Sequence, residues 1–352
     1  EFSGFDMPLA YEGIEAEHAH VRSKVGIFDV SHMGQIRVDG RKARERLDFL
    51  FTNTLPKPNR VKYGMMLTEE GTVMDDMLIY GLSETGFILV PNAGNIDKIY
   101  AHCKEFIGHQ YVKNQSSDYG MIAIQGPMAN DIIQTYYEIP SIKRFQFVWA
   151  DYDDDVMIIS RTGYTGEDGY ELLVPSYRLV DLWNDLLETT GIKPIGLGAR
   201  DTLRFEACLP LYGHEISETI TPVEAGLTFA LDNKKDFRGK TALDEHPGER
   251  VLMGLELIDK GIAREKTFIV EPEPDEILEE IKLWDDYPPN WHLEDSNNFI
   301  IGQVTTGYQL KSQGRSLALA LIHPKFLNER SRIMVRGREK KFKTVDMPFI
   351  NR

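Results

Sequence analysis

The feature that most constrains the fold is a glycine-rich stretch at residues 160–171, Ser-Arg-Thr-Gly-Tyr-Thr-Gly-Glu-Asp-Gly-Tyr-Glu. Glycine adopts backbone angles that other residues avoid, and it lets a ligand approach the main chain. The apolar runs at 156–159 and 172–174 predict two strands on either side of a rigid loop. Tyrosine beside carboxylate suits a flat, nitrogen-rich heterocycle, because the ring stacks and the acid accepts from N–H donors. The alternative is a hairpin whose glycines serve only its turn.

Length and charge indicate a multidomain chain without a polyanionic partner. At 352 residues the chain exceeds one ordinary core and should divide into two or three domains. Its formal charge of −15 repels polyphosphate and anionic lipid, so we expect neither nucleic acid nor a membrane as partner, although local basic patches stay open. No apolar run reaches the roughly 18 residues of a membrane helix. Cys103 and Cys208 are isolated, which favours small buried thiols in a reducing compartment.

Apolar periodicity predicts helices in the first two thirds of the chain and strands in the last third. Residues 47–50 mark a first helix, 96–106 a second, and 179–187 a third that is amphipathic, with Gly191 as its C-cap. After about residue 246 the helical pattern fades, and short β-like runs predict a separate all-β domain. These runs are 251–257, 299–304, 316–322, 332–335 and 341–347.

Three further segments place polar residues in apolar surroundings. They are Phe-Asp-Val-Ser-His-Met-Gly at 28–34, Gly-Thr-Val-Met-Asp-Asp-Met-Leu-Ile-Tyr at 71–80, and Gly-Leu-Gly-Ala-Arg-Asp-Thr-Leu-Arg-Phe-Glu at 196–206. With the glycine-rich stretch, and in this order, they resemble the aminomethyltransferase family, the T-protein of the glycine cleavage system. The resemblance covers nearly the whole chain. Shorter matches lie at 125–127, 211–213, 220–226 and 236–240.

This resemblance implies an α+β, three-domain fold in which a ring of domains binds folate near its centre. Residues 1–245 are expected to form the folate-binding region as two interleaved α+β subdomains, approximately 1–35 with 117–245, and 36–116. Residues 246–352 are expected to form a C-terminal all-β barrel, which the β-like runs predict independently.

The C-terminal domain departs from the family's pattern in an atypical acidic insertion at 271–298. Ile277, Ile281 and Trp284 are spaced to form one face of a small helix. We favour a packed local insertion over a partner-binding element, because acidic, proline-containing insertions are usually solvated. The departure puts in doubt how a carrier protein docks.

An acidic pair lies in the apolar segment 71–80. If the segment is a strand, alternation places Asp76 on the face of Leu78 and Asp75 on the opposite face. Burying an unpaired carboxylate costs several kcal/mol, so each aspartate needs a donor, a cation or solvent. The resemblance implies that Asp76 is catalytic, with Asp76→Asn as the cleanest test. The alternative is a structural carboxylate bonded to backbone N–H groups at a strand end.

The resemblance also implies the reaction, in which an aminomethyl group on a lipoyl arm reacts with tetrahydrofolate to give methylenetetrahydrofolate, ammonia and the dihydrolipoyl carrier. Tetrahydrofolate is then a co-substrate, and no metal or nucleotide is expected. The implied partner is the lipoylated carrier, the H-protein of the glycine cleavage system. Bacterial cytoplasm is the expected location, with the mitochondrial matrix as the alternative.

The resemblance assigns roles to other site residues by matching individual positions to the family. Tyr164 and Glu171 match positions that contact the pterin. Arg200 matches a functional arginine, which could hold Asp76, anchor a substrate carboxylate or guide the lipoyl arm; a buried ion pair is the structural alternative. The remaining matches line the folate site, and they are Met33, Tyr63, Leu78 and Asn92.

Rival functions and sites are weighed against this interpretation. A related folate-dependent demethylase or methyltransferase shares the fold but usually diverges in the segments around 32–34 and 161–167, which are intact here. A non-catalytic folate-binding protein carries a cysteine motif that 236–240 lacks. For His32 we favour a structural, hydrogen-bonded role over that of a base, because no nucleophile accompanies it. His18 and His20 have a poor spacing for a metal site.

Overall fold

The computed structural model describes residues 2–189, 191–272 and 298–350. The expected helix at Ile277–Trp284 and nearly all of the acidic insertion lie outside the described residues. Helices and strands alternate up to about residue 245, and strands dominate after it. The helices are α1 Ile14–Ser23, α2 Arg41–Leu50, α3 Ile96–Ile107, α4 Ala129–Tyr136, α5 Leu179–Leu187, α6 Leu197–Glu206 and α7 Lys240–Glu245.

The strands divide among three sheets. The first sheet contains β1 Val25–Asp29, β7 Tyr119–Gln125, β8 Phe147–Tyr152, β9 Asp155–Ser160, β10 Gly169–Pro175 and β11 Ile192–Pro194; the second contains β2 Ile36–Asp39, β3 Arg60–Leu67, β4 Val73–Gly81, β5 Gly86–Val90 and β6 Val112–Asn114; the third contains β12 Val251–Leu257, β13 Phe268–Pro272, β14 Asn298–Leu310, β15 Arg315–Ile322, β16 Arg332–Val335, β17 Arg338–Lys340 and β18 Phe342–Val345.

The first sheet has the order β11-β1-β7-β10-β9-β8, antiparallel except for the β1–β11 pair. Helices α4 and α5 cover one face, where Ile124, Leu172 and Leu182 belong to one buried cluster. Strands β9 and β10 flank the glycine-rich stretch, as the apolar runs predict. Pairing on both sides of the loop therefore fixes both of its ends.

The second sheet has the order β3-β4-β5-β2-β6. Along β4 the side chains alternate between two environments: Met77 and Ile79 pack under α2 and α3 in one core, whereas Leu78 and Tyr80 pack in a second core shared with the first sheet. The alternation expected for this strand is thus present, and it places Asp75 and Asp76 on opposite faces.

The third sheet is a curled, antiparallel half-barrel with the order β17-β16-β13-β14-β15-β12-β18, which confirms the expected C-terminal β domain. Strand β14 is longer than the run at 299–304 predicts, because a bulge near Val304 lets pairing with β15 continue to Leu310. The division of the chain into domains stays a prediction, although the strands of each sheet fall within one expected segment.

Two sequence expectations about helices are wrong. The helix at 47–50 is the second and not the first, since α1 precedes it with a weakly apolar pattern. Gly191 does not cap α5, which ends at Leu187, and its positive φ of 95° instead serves the turn into β11. In the described part of the chain, no helix is long and apolar enough to cross a membrane.

Candidate active site

A cavity of about 750 Å³ lies where the first two sheets, α6 and β14 meet. Its wall is mostly apolar, with a small number of charged and polar side chains that point inward. Every residue that the sequence assigns to a site lines this cavity: Met33, Tyr63, Asp76, Leu78, Asn92, Tyr164, Glu171 and Arg200.

Asp76 lies in the wall of the cavity, and its neighbour on β4, Asp75, is buried behind that wall. Asn92, just after β5, donates from its Nδ2 to Asp75 Oδ1 at 2.8 Å and to Asp76 Oδ1 at 2.7 Å. The backbone N–H of Asn92 donates to Asp75 Oδ2 at 3.1 Å, and Asn95 Nδ2 donates to Asp75 Oδ1 at 2.7 Å. Tyr63, on the neighbouring β3, donates its hydroxyl to Asp76 Oδ2 at 3.0 Å. Asp75 thus accepts one backbone and two side-chain hydrogen bonds, and Asp76 accepts one each from the side chains of Asn92 and Tyr63.

The negative charge of these two carboxyl groups is not balanced by a nearby cation in the described part of the chain. Among the described residues no lysine, arginine or histidine lies within 4 Å of either carboxylate. Burial and the neighbouring carboxyl group of Asp76 raise the pKa of Asp75. Burial also raises the pKa of Asp76, against the hydrogen bonds from Asn92 and Tyr63. A positively charged or proton-donating ligand would stabilise the negative charge of the pair.

The glycine-rich loop is built around the buried side chain of Gln125. Gln125 donates to the carbonyl of Thr162 at 3.1 Å and accepts from the Thr165 hydroxyl at 2.9 Å. A Cβ at Gly163 would lie 1.9 Å from Gln125 Oε1, and one at Gly169 would lie 2.3 Å from Gln125 Nε2. These glycines are thus needed for close packing of the loop and not only for its turn.

Glu171 presents one free oxygen to the cavity. The Thr162 hydroxyl donates to its Oε2 at 2.5 Å, and no donor within the described ranges bonds Oε1. Burial raises the pKa of Glu171, against the Thr162 hydrogen bond and the charge of Arg200. Its position, two strand residues beyond the loop, leaves Oε1 as an acceptor for a ligand.

Arg200, on α6, is a cation without a carboxylate partner in the described parts of the chain. Its guanidinium lies over the ring of Tyr164, 4.9 Å from the centroid, and the Tyr164 hydroxyl donates to the Pro210 carbonyl at 2.5 Å. Burial lowers the pKa of Arg200. The expected alternative for Arg200, a buried ion pair, is absent from this geometry.

Comparison with known proteins agrees with these observations. The family model "GCVT N-terminal domain" matches residues 1–235. An "Aminomethyltransferase" of Exiguobacterium sibiricum is 41% identical over 362 residues, covering 100% of this chain and 93% of the relative. One from Listeria monocytogenes serotype 4b is 41% identical over 365 residues, covering 100% and 94%. The chain belongs to the aminomethyltransferase family.

Structural comparison supports the same assignment over the whole chain. The glycine cleavage system aminomethyltransferase T from Bartonella henselae matches with a TM-score of 0.84 and 28% identity, covering 99% of this chain and 93% of that one. The expected fold, the enzyme class of one-carbon transferases and the function in glycine cleavage are confirmed. Aminomethyltransferases of this family depend on folate and work with the carrier protein of the system.

His32 lines the cavity of this aminomethyltransferase in a way that the sequence did not predict. Its buried Nδ1 has no hydrogen-bond partner among the described residues, so the expected hydrogen-bonded role is not met at this atom. The ring packs edge-on against Phe2, with centroids 5.6 Å apart. Burial, and then the charge of Arg200, lowers the pKa of His32 to about 3, which leaves the ring neutral.

Aromatic side chains that sequence reasoning missed also line the aminomethyltransferase cavity. Phe229 is 72% exposed and stacks on Tyr63 with centroids 6.0 Å apart. Phe145 and Tyr212 contribute further apolar surface. Tyr212 lies in a segment that matches the family, whereas Phe229 carries no local pattern. No group of three or more histidine, cysteine, aspartate or glutamate side chains in the described ranges could hold a metal ion.

Proposed function

We propose that the chain transfers the aminomethyl carbon of a lipoylated carrier, the H-protein, to tetrahydrofolate inside the 750 Å³ cavity. The two folate nitrogens bond to that carbon one after the other. In exchange, the carbon loses its bonds to the amine nitrogen and to sulfur. The two N–H protons of the folate leave with the ammonia and the dihydrolipoyl thiol. The products are methylenetetrahydrofolate, ammonia and the reduced carrier.

The observation that carries the proposal is the half-buried carboxyl group of Asp76, which has no lysine, arginine or histidine within 4 Å among the described residues. Positive charge develops on the transferred carbon when it is held between nitrogen atoms, and a nearby carboxylate stabilises that charge. Asp76 can also exchange a proton with the reacting amines. Tyr63 and Asn92 orient it, so the carboxyl group is in place before substrate arrives.

Glu171 and the aromatic side chains account for recognition of the pterin. The free Oε1 of Glu171 suits the amino and ring N–H donors of a pterin, which are arranged to pair with a carboxylate. Tyr164, Met33 and Leu78 supply the apolar surface for a flat ring system. The residues present thus fit tetrahydrofolate as co-substrate.

Arg200 is assigned to anchoring an anionic group of a substrate. Its guanidinium has no carboxylate partner in the described ranges, and Tyr164 fixes its direction. Arginine stays charged even when buried, so an anion inside the cavity gains a strong hydrogen-bonded partner. Holding Asp76 is disfavoured, because no ion pair joins Arg200 to it.

The same proposal bears on the cellular compartment and on the two alternative functions. The similar relatives come from bacteria, which favours the bacterial cytoplasm over the mitochondrial matrix. No feature of the cavity favours a folate-dependent demethylase or a non-catalytic folate-binding role, and both become outcomes of the test.

The deciding experiment is turnover with tetrahydrofolate and an aminomethyl-lipoyl carrier, following ammonia and methylenetetrahydrofolate. For Asp76→Asn we expect kcat to fall about 100-fold or more with folate affinity nearly kept, because acid–base and charge stabilisation are lost while shape is retained. Asp181→Asn, on the exposed surface of α5, is the matched control. Tight folate binding without turnover by the wild type would contradict the proposal and favour another one-carbon donor or a binding role.

A further inference from the structure

Asp75 is a buried carboxylate to which the proposed reaction gives no task. It lies next to Asp76 on β4 but on the opposite face of the strand, and it is fully buried. Its two oxygens accept three hydrogen bonds, two from Asn92 and one from Asn95. A single amide nitrogen, Nδ2 of Asn92, joins it to Asp76.

Two adjacent carboxylates, one fully buried and one half-buried, do not both stay ionised at low cost without a cation. The other titratable groups near them place no positive charge within 4 Å of either carboxylate among the described residues. Burial raises the pKa values of Tyr63, Tyr164 and Tyr212, so all three are neutral at pH 7. Lys98, on α3, is engaged by Glu218 at 2.6 Å and by the Tyr212 hydroxyl at 3.0 Å.

The hydrogen bonds decide which carboxylate keeps its charge. All three donors to Asp75 are N–H groups, which cannot accept a proton back, so they favour the ionised form. Asp76 faces the Tyr63 hydroxyl at 3.0 Å, and a hydroxyl can turn and accept a hydrogen bond from a carboxylic acid. A protonated Asp76 therefore has an acceptor for its O–H, the Tyr63 hydroxyl, whereas a protonated Asp75 would have none among these partners.

We infer that Asp75 and Asp76 share a single proton before substrate binds, and that ionised Asp75 is a positioning residue that keeps this proton on Asp76. The inference rests on the proposed function for its consequence. Asp76 then gives its proton to the amine nitrogen as the carbon–nitrogen bond breaks with its electron pair on nitrogen. It regains a proton from the folate amine whose electron pair forms the new bond.

The first test needs no substrate. Infrared spectra of the wild-type chain at pH 7 should show the C=O band of a protonated carboxyl group that shifts on labelling with isotope-labelled aspartate, which separates it from Glu171. We expect this band to be lost in Asp76→Asn and also in Asp75→Asn, because without its charged neighbour Asp76 ionises. A labelled band that survives in Asp75→Asn overturns the inference.

The second test is the pH profile of kcat. Activity that needs protonated Asp76 falls as pH rises through the pKa of Asp76, and removing a like charge lowers that pKa. Asp75→Asn should therefore move the fall to lower pH by about one unit or more. Asp97→Asn removes a carboxylate from the exposed first turn of α3, and its profile should stay near that of the wild type. Equal shifts in both variants would indicate a general effect of lost negative charge and would overturn the role of Asp75.

The two tests separate failure of the inference from failure of the proposed function. If the wild-type chain shows the aspartate band but never turns over the aminomethyl carrier, the proton-sharing pair stands and the proposed reaction is wrong. If the chain turns over normally and the band is unchanged in Asp75→Asn, the reaction stands and the proton-sharing pair is wrong.

Discussion

At the scale of single residues, Glu171 divides its two oxygens between the protein and the cavity. Thr162 occupies Oε2, which orients the carboxylate and leaves Oε1 to a ligand. Replacing Glu171 by glutamine keeps the shape but removes the charge from the hydrogen bonds to a pterin. Hydrogen bonds to charged groups contribute about 1.5–3 kcal/mol, so we expect Glu171→Gln to weaken tetrahydrofolate binding about 10- to 100-fold in calorimetric titration.

Glu167→Gln is the matched control for that prediction. Glu167 lies on the same loop and pairs with Arg22 at 3.0 Å, away from the cavity wall. Its change should leave folate affinity within about twofold, since this half-buried pair lies outside the cavity and touches no ligand position. Equal losses in the two variants would show that loop stability, and not recognition by Glu171, sets the affinity.

The site residues that sequence reasoning reached are those whose segments match the family. Asp76, Glu171 and Arg200 sit in such segments, and the fold brings them to one cavity. Phe229 was out of reach, because its stacking on Tyr63 joins residues far apart in the chain. The sharing of Asn92 between two carboxylates was equally hidden, since it depends on the pairing of β4 with β5.

At the scale of elements, the glycine-rich loop is rigid because Gln125 fills its interior. Gly163→Ala would drive a Cβ to 1.9 Å from Gln125 Oε1, which must shift and lose buried hydrogen bonds. We expect a loss of about 1–3 kcal/mol in the free energy of unfolding, measured by denaturant titration. In a Gln125→Ala background the same change should cost less than half as much, and equal costs in both backgrounds would contradict the packing argument.

Strand and helix interiors followed from periodicity, and so did several of their ends, but not all. The run at 251–257 matches β12 and 332–335 matches β16, because a strand's apolar alternation is a local property. The role of Gly191 and the length of β14 depend instead on neighbours: the turn at Gly191 leads into β11, and β15 extends β14 beyond its bulge. Pairing partners decide such boundaries, and a single sequence does not name them.

At the scale of the whole molecule, Arg204 connects the folate-binding region to the half-barrel. From α6 it donates to Glu215 at 2.7 Å and to the Thr306 hydroxyl of β14 at 3.0 Å. Thr305 and Thr306 each donate to the other oxygen of Glu215 at 2.6 Å. Arg204 is 1% exposed and Glu215 is fully buried. The cavity wall on this side is thus held by a desolvated ion pair, which Thr305 and Thr306 tie to the half-barrel.

Breaking this pair from one side should be costly, because the partner's charge stays buried and unpaired. For Arg204→Met we expect the free energy of unfolding to fall by about 3–5 kcal/mol in denaturant titration. Lys240→Met removes one partner of the exposed pair with Asp244, and it should change stability by less than about 1 kcal/mol. Adding Glu215→Gln to Arg204→Met should recover part of the loss, since the orphaned charge is then removed. A double variant less stable than Arg204→Met alone would mean that Glu215 stabilises the half-barrel through Thr305 and Thr306 and not through its ion pair.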